Sequence, residues 1–455
     1  MKKKQCIAGM LAVAMTAMMM SGCGQTQTAA LQAETQEETQ TEVSEVKVNA
    51  TVTMHAGNYD DGACVDYLIL KADAPIDSID NGAFEIMETQ YGLNYMTMQN
   101  ELSTNPRTIT GVYLCDEQGN KVGGPSEFVR VDLFAITGSG KLFESALVGT
   151  QSLNVWAGQY KLEINLTEGT ELSSNGAKVT AFNVNSESPE LDLTGDVTKF
   201  DYTKSFAASD GITLNYATYE PETATGTLLV WLHGLGEGGT ENTDPRVPLL
   251  AAEASVMASE KFQTAVGGAN ILVPQCPTWW MDPDGTAQVL DGSKDSFYSA
   301  AVEELIAAYK AEYEEKTGTA IEKVVLAGCS NGGYMTMILA LRNPEAYTAI
   351  VPICEAYMSP EDNMKWLDGI KDMPKFFIFS ADDPLVIPEM YERPTLAYLD
   401  SIGATNTVVF ESENVLLTYE GADPIPAFGH ASWVYFFNNT TGETSAWEWI
   451  GEQVK

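Results

Sequence analysis

The stretch Leu326-Ala327-Gly328-Cys329-Ser330-Asn331-Gly332-Gly333-Tyr334 constrains this chain most. A short apolar run over 324–327 enters Gly328-x-Ser330-x-Gly332, and an apolar segment with helical character follows over 334–341. Strand, sharp turn and helix together make the setting that a nucleophilic serine requires. The two glycines have a mechanical task, because a Cβ at either place would collide with the neighbouring strand or helix. The serine is left at the apex of the turn on a strained backbone. Ordinary strand-to-helix turns can carry the same pattern, so the rest of the chain must decide what Ser330 does.

A serine nucleophile needs a base, an acid and donors for the developing oxyanion. The chain has 3 histidines. His55 lies beside a turn in a strand-rich region and reads as a surface residue. His233 falls in a glycine-rich run. His430, in Gly429-His430-Ala431-Ser432-Trp433 close before the C-terminal helix, is left as the base. The acid should follow a later strand and precede His430. An expected strand over 376–380 runs into Ala381-Asp382-Asp383-Pro384-Leu385-Val386, where the D-P-x-V pattern favours Asp383 over Asp382. Glu355 and Asp423 stand behind them as further candidates. Separations of 53 (330 to 383) and 47 (383 to 430) residues leave room for one strand–helix unit each. For the oxyanion, His233-Gly234-Leu235-Gly236-Glu237-Gly238-Gly239 follows directly on an expected strand over 228–232. Such a turn can bring a backbone N–H close to a reacting oxygen. The expected donors are the N–H groups of Leu235 and Asn331. The run has no GxGxxG spacing and no lysine, which argues against phosphate binding. Trp279 and Trp280, shortly after a strand end, are expected to border the pocket and stack on an aryl or sugar group, or else to pack on the first domain. Glu237 and Glu355 are expected to face the pocket and disfavour anionic substrates.

At 455 residues the chain is long enough for two folded domains. Residues 1–23 read as a targeting segment: Lys2-Lys3-Lys4, an apolar run over 6–20, then Met20-Ser21-Gly22-Cys23. That ending resembles the bacterial lipoprotein signal, which implies acylation of Cys23 and a lipid anchor on the outer side of the cell membrane; plain secretion is the alternative. Residues 24–46, rich in Gln, Thr, Glu and Ala, read as a flexible tether. Over 47–195 the apolar period is two, with about seven short antiparallel strands separated by turn signals, which argues an immunoglobulin-like β-sandwich. The strands are expected near 48–54, 64–72, 84–91, 108–115, 129–133, 160–166 and 177–185, and a linker near 188–196. From 196 to 455 continuous apolar runs alternate with helical stretches. This is the grammar of a mostly parallel sheet covered by helices.

A net charge of −38 argues against a nucleic-acid partner. With Cys6 and Cys23 in the targeting segment, Cys64, Cys115, Cys276, Cys329 and Cys354 remain. An odd, widely spaced set is no disulfide framework, although Cys64 and Cys115 could pair. No Cys/His cluster suggests a metal, and the chemistry above asks for no cofactor.

Residues 200–455 resemble the α/β-hydrolase superfamily, and within it the secreted esterases related to polyhydroxybutyrate depolymerases and feruloyl esterases. The resemblance rests on His233–Glu237, Gly328–Tyr334, Asp383–Val386 and Gly429–Trp433, with Pro274-Gln275-Cys276-Pro277 and Trp279-Trp280 in support. It covers a little over half of the chain. It implies an α/β-hydrolase fold behind the β-sandwich, and a serine esterase acting through an acyl-enzyme on a small-molecule or polysaccharide-linked ester. Asn331 departs from the pattern, where Met, Gln or Ala is commoner, and is expected to make the mouth of the site more polar. Two other readings stand beside this one. A peptidase of the prolyl-oligopeptidase type shares the fold, but 47–188 shows no blade repeat. A non-catalytic surface binder would use the sandwich alone.

Overall fold

The structure is a computed structural model. It describes residues 44–455 except 61, 95–98, 136–138, 149–150, 240–242, 360–362 and 420–422. The targeting segment, Cys23 and the tether as far as residue 43 lie outside the described residues.

The first half folds as β1 (Glu45–Tyr59), β2 (Gly62–Ile76), β3 (Phe84–Asn94), β4 (Gln99–Pro106), β5 (Ile109–Cys115), β6 (Ser126–Leu133), β7 (Phe143–Val148), β8 (Gln151–Trp156), β9 (Lys161–Leu166), β10 (Ser173–Ser174) and β11 (Ala177–Leu193). Alternation does the sorting: Val48, Ala50, Val52 and Met54 point inward while Lys47, Asn49 and Thr51 face solvent. A six-stranded sheet, ordered β10-β11-β1-β2-β6-β5, shares one core with a three-stranded sheet, β4-β3-β9. Phe84 of the smaller sheet meets Phe182 of the larger with ring centroids 5.5 Å apart. The sequence reading needs three corrections here. β1 and β11 run parallel, so the larger sheet is not wholly antiparallel. β4 and the β7–β8 hairpin were not foreseen. The expected linker near 188–196 is strand as far as Leu193, with Glu190–Leu193 laddered onto Thr53–Ala56, and then a turn of 3-10 helix over Gly195–Lys199. A polar composition suggested a linker, but the ladder to β1 holds the stretch by its backbone whatever the side chains are.

The second half is built on an eight-stranded sheet: β12 (Asp201–Ala207), β13 (Thr213–Tyr219), β14 (Thr227–Leu232), β15 (Asn270–Gln275), β16 (Lys323–Cys329), β17 (Ala349–Ile353), β18 (Lys375–Ser380) and β19 (Thr407–Ser412). The spatial order is β12-β13-β15-β14-β16-β17-β18-β19. β13 is antiparallel to both neighbours, and every pair from β15 to β19 is parallel. β14, β15, β17 and β18 are buried at each position, as strands covered on both faces must be. The covering helices are α1 (Arg246–Leu250), α2 (Glu260–Val266), α3 (Ser299–Thr317), α4 (Asn331–Arg342), α5 (Glu392–Ser401), α6 (Trp433–Phe437) and α7 (Ala446–Gln453). α3 stops at Gly318, whose φ of 73° suits a glycine cap. α7 starts where the Ser445 hydroxyl accepts the Glu448 N–H at 3.2 Å.

One apolar cluster runs without a break from Val48 of the sandwich through Trp231 and Val325 to Ile450 of α7. The two halves therefore share a core, and residues 44–455 form one compact unit. Polar contacts secure the seam. Asn58 Nδ2 donates to Leu249 O at 2.9 Å and to Ser255 Oγ at 3.0 Å. Asp60 accepts from the Thr418 N–H at 2.7 Å and from Asn438 Nδ2 at 2.6 Å. Trp156 Nε1, on β8, donates to Asp244 at 2.9 Å. The five cysteines at 64, 115, 276, 329 and 354 are all buried and none is in a disulfide, so Cys64 and Cys115 do not pair with each other.

Candidate active site

The parallel strands end on one edge of the sheet, where open α/β sheets present their loops. Ser330 stands between the end of β16 and the start of α4 with φ 55° and ψ −116°, a strained backbone for a residue with a side chain. Its N–H donates to Ile353 O at 2.8 Å, and its carbonyl accepts the Tyr334 N–H at 2.9 Å. The turn closes only with glycines beside it. A Cβ on Gly332 would stand 1.8 Å from Leu232 O, and one on Gly328 would stand 2.6 Å from the same atom.

His430 brings Nε2 to 2.8 Å from Ser330 Oγ and Nδ1 to 2.7 Å from Asp383 Oδ2. The other oxygen of Asp383 accepts the N–H groups of Leu385 at 2.8 Å and Val386 at 2.9 Å. A carboxylate on Nδ1 assigns the ring hydrogen to that nitrogen, which turns the lone pair of Nε2 toward the serine hydroxyl. Asp382 does something else. It accepts from Ser380 Oγ at 2.6 Å and lies against Gly429, where a Cβ would come within 2.3 Å of its Oδ1. It thus packs the acid loop on the histidine loop. Asp423 is exposed, and Glu355 is buried with Oε2 accepting the Tyr357 N–H at 2.6 Å. Burial pushes the Glu355 carboxyl well above the usual range, and that of Glu392, which neighbours both Glu355 and Asp383, up to about 9.

The glycine-rich loop is fixed by His233. Its Nε2 accepts the Cys276 N–H at 2.9 Å, so Nδ1 carries the hydrogen and donates to Gly234 O at 2.6 Å. Burial lowers this imidazole to about 4, which keeps it neutral. In a trans peptide the C=O and the next N–H point in opposite directions. By anchoring Gly234 O, His233 therefore sets the direction of the Leu235 N–H. The Asn331 N–H opens α4, where the first-turn N–H groups lack intrahelical acceptors.

Leu235, Glu237, Ser330, Asn331, His430 and Trp433 line a cavity of about 620 Å³. Met281, Leu290, Met358, Leu385 and Val386 give it an apolar side. Gln151, Ser152 and Asn154 of β8 give it a polar side that comes from the sandwich. The sequence reading missed these three, since nothing in a short alternating segment marks it as reaching a distant site.

Three expectations are overturned, the first being Glu355, which is fully buried and lies outside the cavity lining. Trp279 and Trp280 do not line the cavity: both are buried, and Trp280 Nε1 donates to His233 O at 3.1 Å while its ring leans on the imidazole with centroids 5.1 Å apart. Trp280 packs in the core of the α/β half rather than on the sandwich, and props the glycine loop from behind. Asn331 does not make the mouth more polar, because its Oδ1 turns inward and accepts the Trp280 N–H at 2.6 Å. Among the described residues, the group of His, Cys and carboxylate side chains spaced to hold a metal ion is Cys354, Asp383 and His430, with ligand atoms within 4.8 Å of one another. Two of its three members already bond each other.

No protein-family model matches the sequence, and no curated protein matches it. Among solved structures the chain is similar to the crystal structure of a thermostable esterase, with 21% identity and a TM-score of 0.63 over 89% of this chain and 99% of that one. The fold is that of the α/β-hydrolases. A ferulic acid esterase matches at 12% identity and a TM-score of 0.39 over 56% of this chain and 97% of its own. Brefeldin A esterase, a bacterial homologue of human hormone sensitive lipase, matches at 14% and 0.36 over 59% and 80%.

Proposed function

We propose that the protein is a carboxylic ester hydrolase working through an acyl-enzyme on Ser330. The observation that carries this reading is the unbroken hydrogen-bond line from Ser330 through His430 to Asp383, opening into the cavity. His430 Nε2 takes the hydroxyl proton as Ser330 Oγ attacks the ester carbonyl. Asp383 holds the tautomer and stabilises the imidazolium. The N–H groups of Leu235 and Asn331 receive the oxyanion. His430 then passes its proton to the leaving alcohol, and water repeats the sequence on the acyl-enzyme to release the acid. Every step uses protein groups and water alone.

An apolar side and a polar side suit an uncharged ester, either a small molecule or one linked to a polysaccharide. Asp291 on the cavity wall disfavours anionic substrates. Paired sheets rather than repeated blades count against the prolyl-oligopeptidase alternative. The lipoprotein-like ending at Cys23 supports a place outside the cell on a lipid anchor, with plain secretion the alternative, and the paired N-terminal sheets support an immunoglobulin-like sandwich. In that case Cys23→Ser moves the protein from the membrane fraction to the medium. The chemistry is tested with a fluorophosphonate probe and a panel of p-nitrophenyl and feruloyl esters. Wild-type protein takes up the probe and turns over at least one ester, and Ser330→Ala does neither. Equal labelling of the two proteins overturns the assignment.

A further inference from the structure

The sandwich half reaches the glycine-rich loop through Leu153 and Asn154. Asn154, on β8, donates from Nδ2 to Glu237 Oε1 at 2.9 Å. Glu237 closes the 3-10 turn Leu235–Glu237, two residues after the expected oxyanion donor. The Gly234 N–H faces the same carboxyl, and the Glu237 carbonyl accepts from Gln275 Nε2 at 3.0 Å. The carboxyl is therefore tied to the hairpin on one side and to the turn on the other. The loop's own glycines record the approach. A Cβ on Gly236 would come within 2.7 Å of Asn154 Nδ2, and one on Gly239 within 2.4 Å of Leu153 Cδ1. Both glycines leave room for a segment that lies more than eighty residues earlier in the chain.

We propose that Asn154 is a positioning residue of the active site: by holding Glu237, the sandwich hairpin fixes the turn that aims the Leu235 N–H at the oxyanion. The inference rests on the ester-hydrolase reading. His233 sets the direction of the Gly234–Leu235 peptide from the sheet side, and Asn154 through Glu237 holds the far end of the same turn. A 3-10 turn of three residues has little internal rigidity. Without the second anchor the Leu235 N–H is held from the His233 side alone, and the donor is less well aimed in the transition state while the rest of the cavity stays in place.

Kinetics of the full chain test this. Losing one oxyanion donor outright costs about 10²–10³ in kcat, so loosening it in Asn154→Ala is expected to lower kcat roughly tenfold to a hundredfold with KM changed less than about twofold. Glu237→Ala is expected to do the same, and the double variant to be no slower than Glu237→Ala alone, because both changes break one connection. Gly236→Ala breaks that contact from the loop side and serves if Asn154→Ala folds poorly, with folding checked by circular dichroism. A raised KM at unchanged kcat means that the hairpin binds substrate and overturns the positioning role. Additive losses in the double variant, or a folded Asn154→Ala with wild-type kcat, overturn it too. These results leave the hydrolase reading intact if Ser330→Ala is inactive. A wild-type protein without ester turnover overturns both.

Discussion

At the scale of the residue, two adjacent aspartates have opposite tasks. Asp383 accepts from His430 and two backbone N–H groups, and Asp382 braces Gly429. Asp383→Asn keeps the shape but offers Nδ1 no charge and the wrong tautomer partner, and is expected to lower kcat by about 10³–10⁴. Asp382→Asn keeps an acceptor for Ser380 and is expected to cost less than about tenfold. Side-by-side kcat values decide; comparable losses would remove Asp383 from its assigned place. The sequence singles out Ser330, His430 and Asp383 because chemistry narrows the choice: few histidines, one apex serine, and two adjacent acids after the right strand of which one stands in the D-P-x-V pattern. Trp279 and Trp280 misled for the converse reason. A tryptophan pair near a strand end carries no sign of whether its rings face a cavity or a core, and Trp280 went to the core, where His233 O gave its N–H a partner. Asn331 turned inward on the same logic, toward the buried Trp280 N–H.

At the scale of the element, the turn between β16 and α4 is closed by main-chain contacts that no side chain can relax. Gly332→Ala would place its Cβ against Leu232 O, a clash of backbone with backbone. The expected outcome is a loss of more than about 4 kcal/mol or insoluble protein, read from urea unfolding and soluble yield. A soluble Gly332→Ala protein with wild-type stability would show that the turn is looser than its geometry. The parallel strands were readable because double burial leaves continuous apolar runs, as in 349–353 and 376–380. β7 and β8 were not. Among the described residues they form a two-stranded sheet of their own, and they show no clean alternation: Gln151, Ser152 and Asn154 line the cavity while Trp156 bonds Asp244 at the seam. The stretch 188–193 hid for a related reason, being a polar strand held by its ladder to β1.

At the scale of the whole molecule, the seam and the site both bury carboxyls in a chain that carries −38 overall. Glu253 lies at the seam beside Asp60; burial, and then the Asp60 charge, push it up to about 9. Glu392, under the site, is raised by burial to about 9 and Glu355 well up, while Glu237 is raised by burial to about 7. The acids raised to about 9 keep their protons through neutral pH in the folded state, Glu237 releases its own near 7, and all lose them near 4.5 when unfolded. The unfolded chain therefore binds fewer protons above that pH, and stability falls as pH rises toward the folded values. His233, lowered by burial to about 4, acts in the opposite sense, but only below its unfolded value near 6.5. Lys375, lowered by burial to about 8, opposes only above pH 8. Between pH 6.5 and 8 the raised carboxyls act without either, and self-repulsion of the net charge works in the same direction. Tm is expected to fall by roughly 5 °C across that interval. Glu253→Gln and Glu392→Gln, which remove the titrating groups and keep their shape, should each flatten the slope. A Tm that is level or rises from pH 6.5 to 8 would mean that these carboxyls are not protonated in the folded protein.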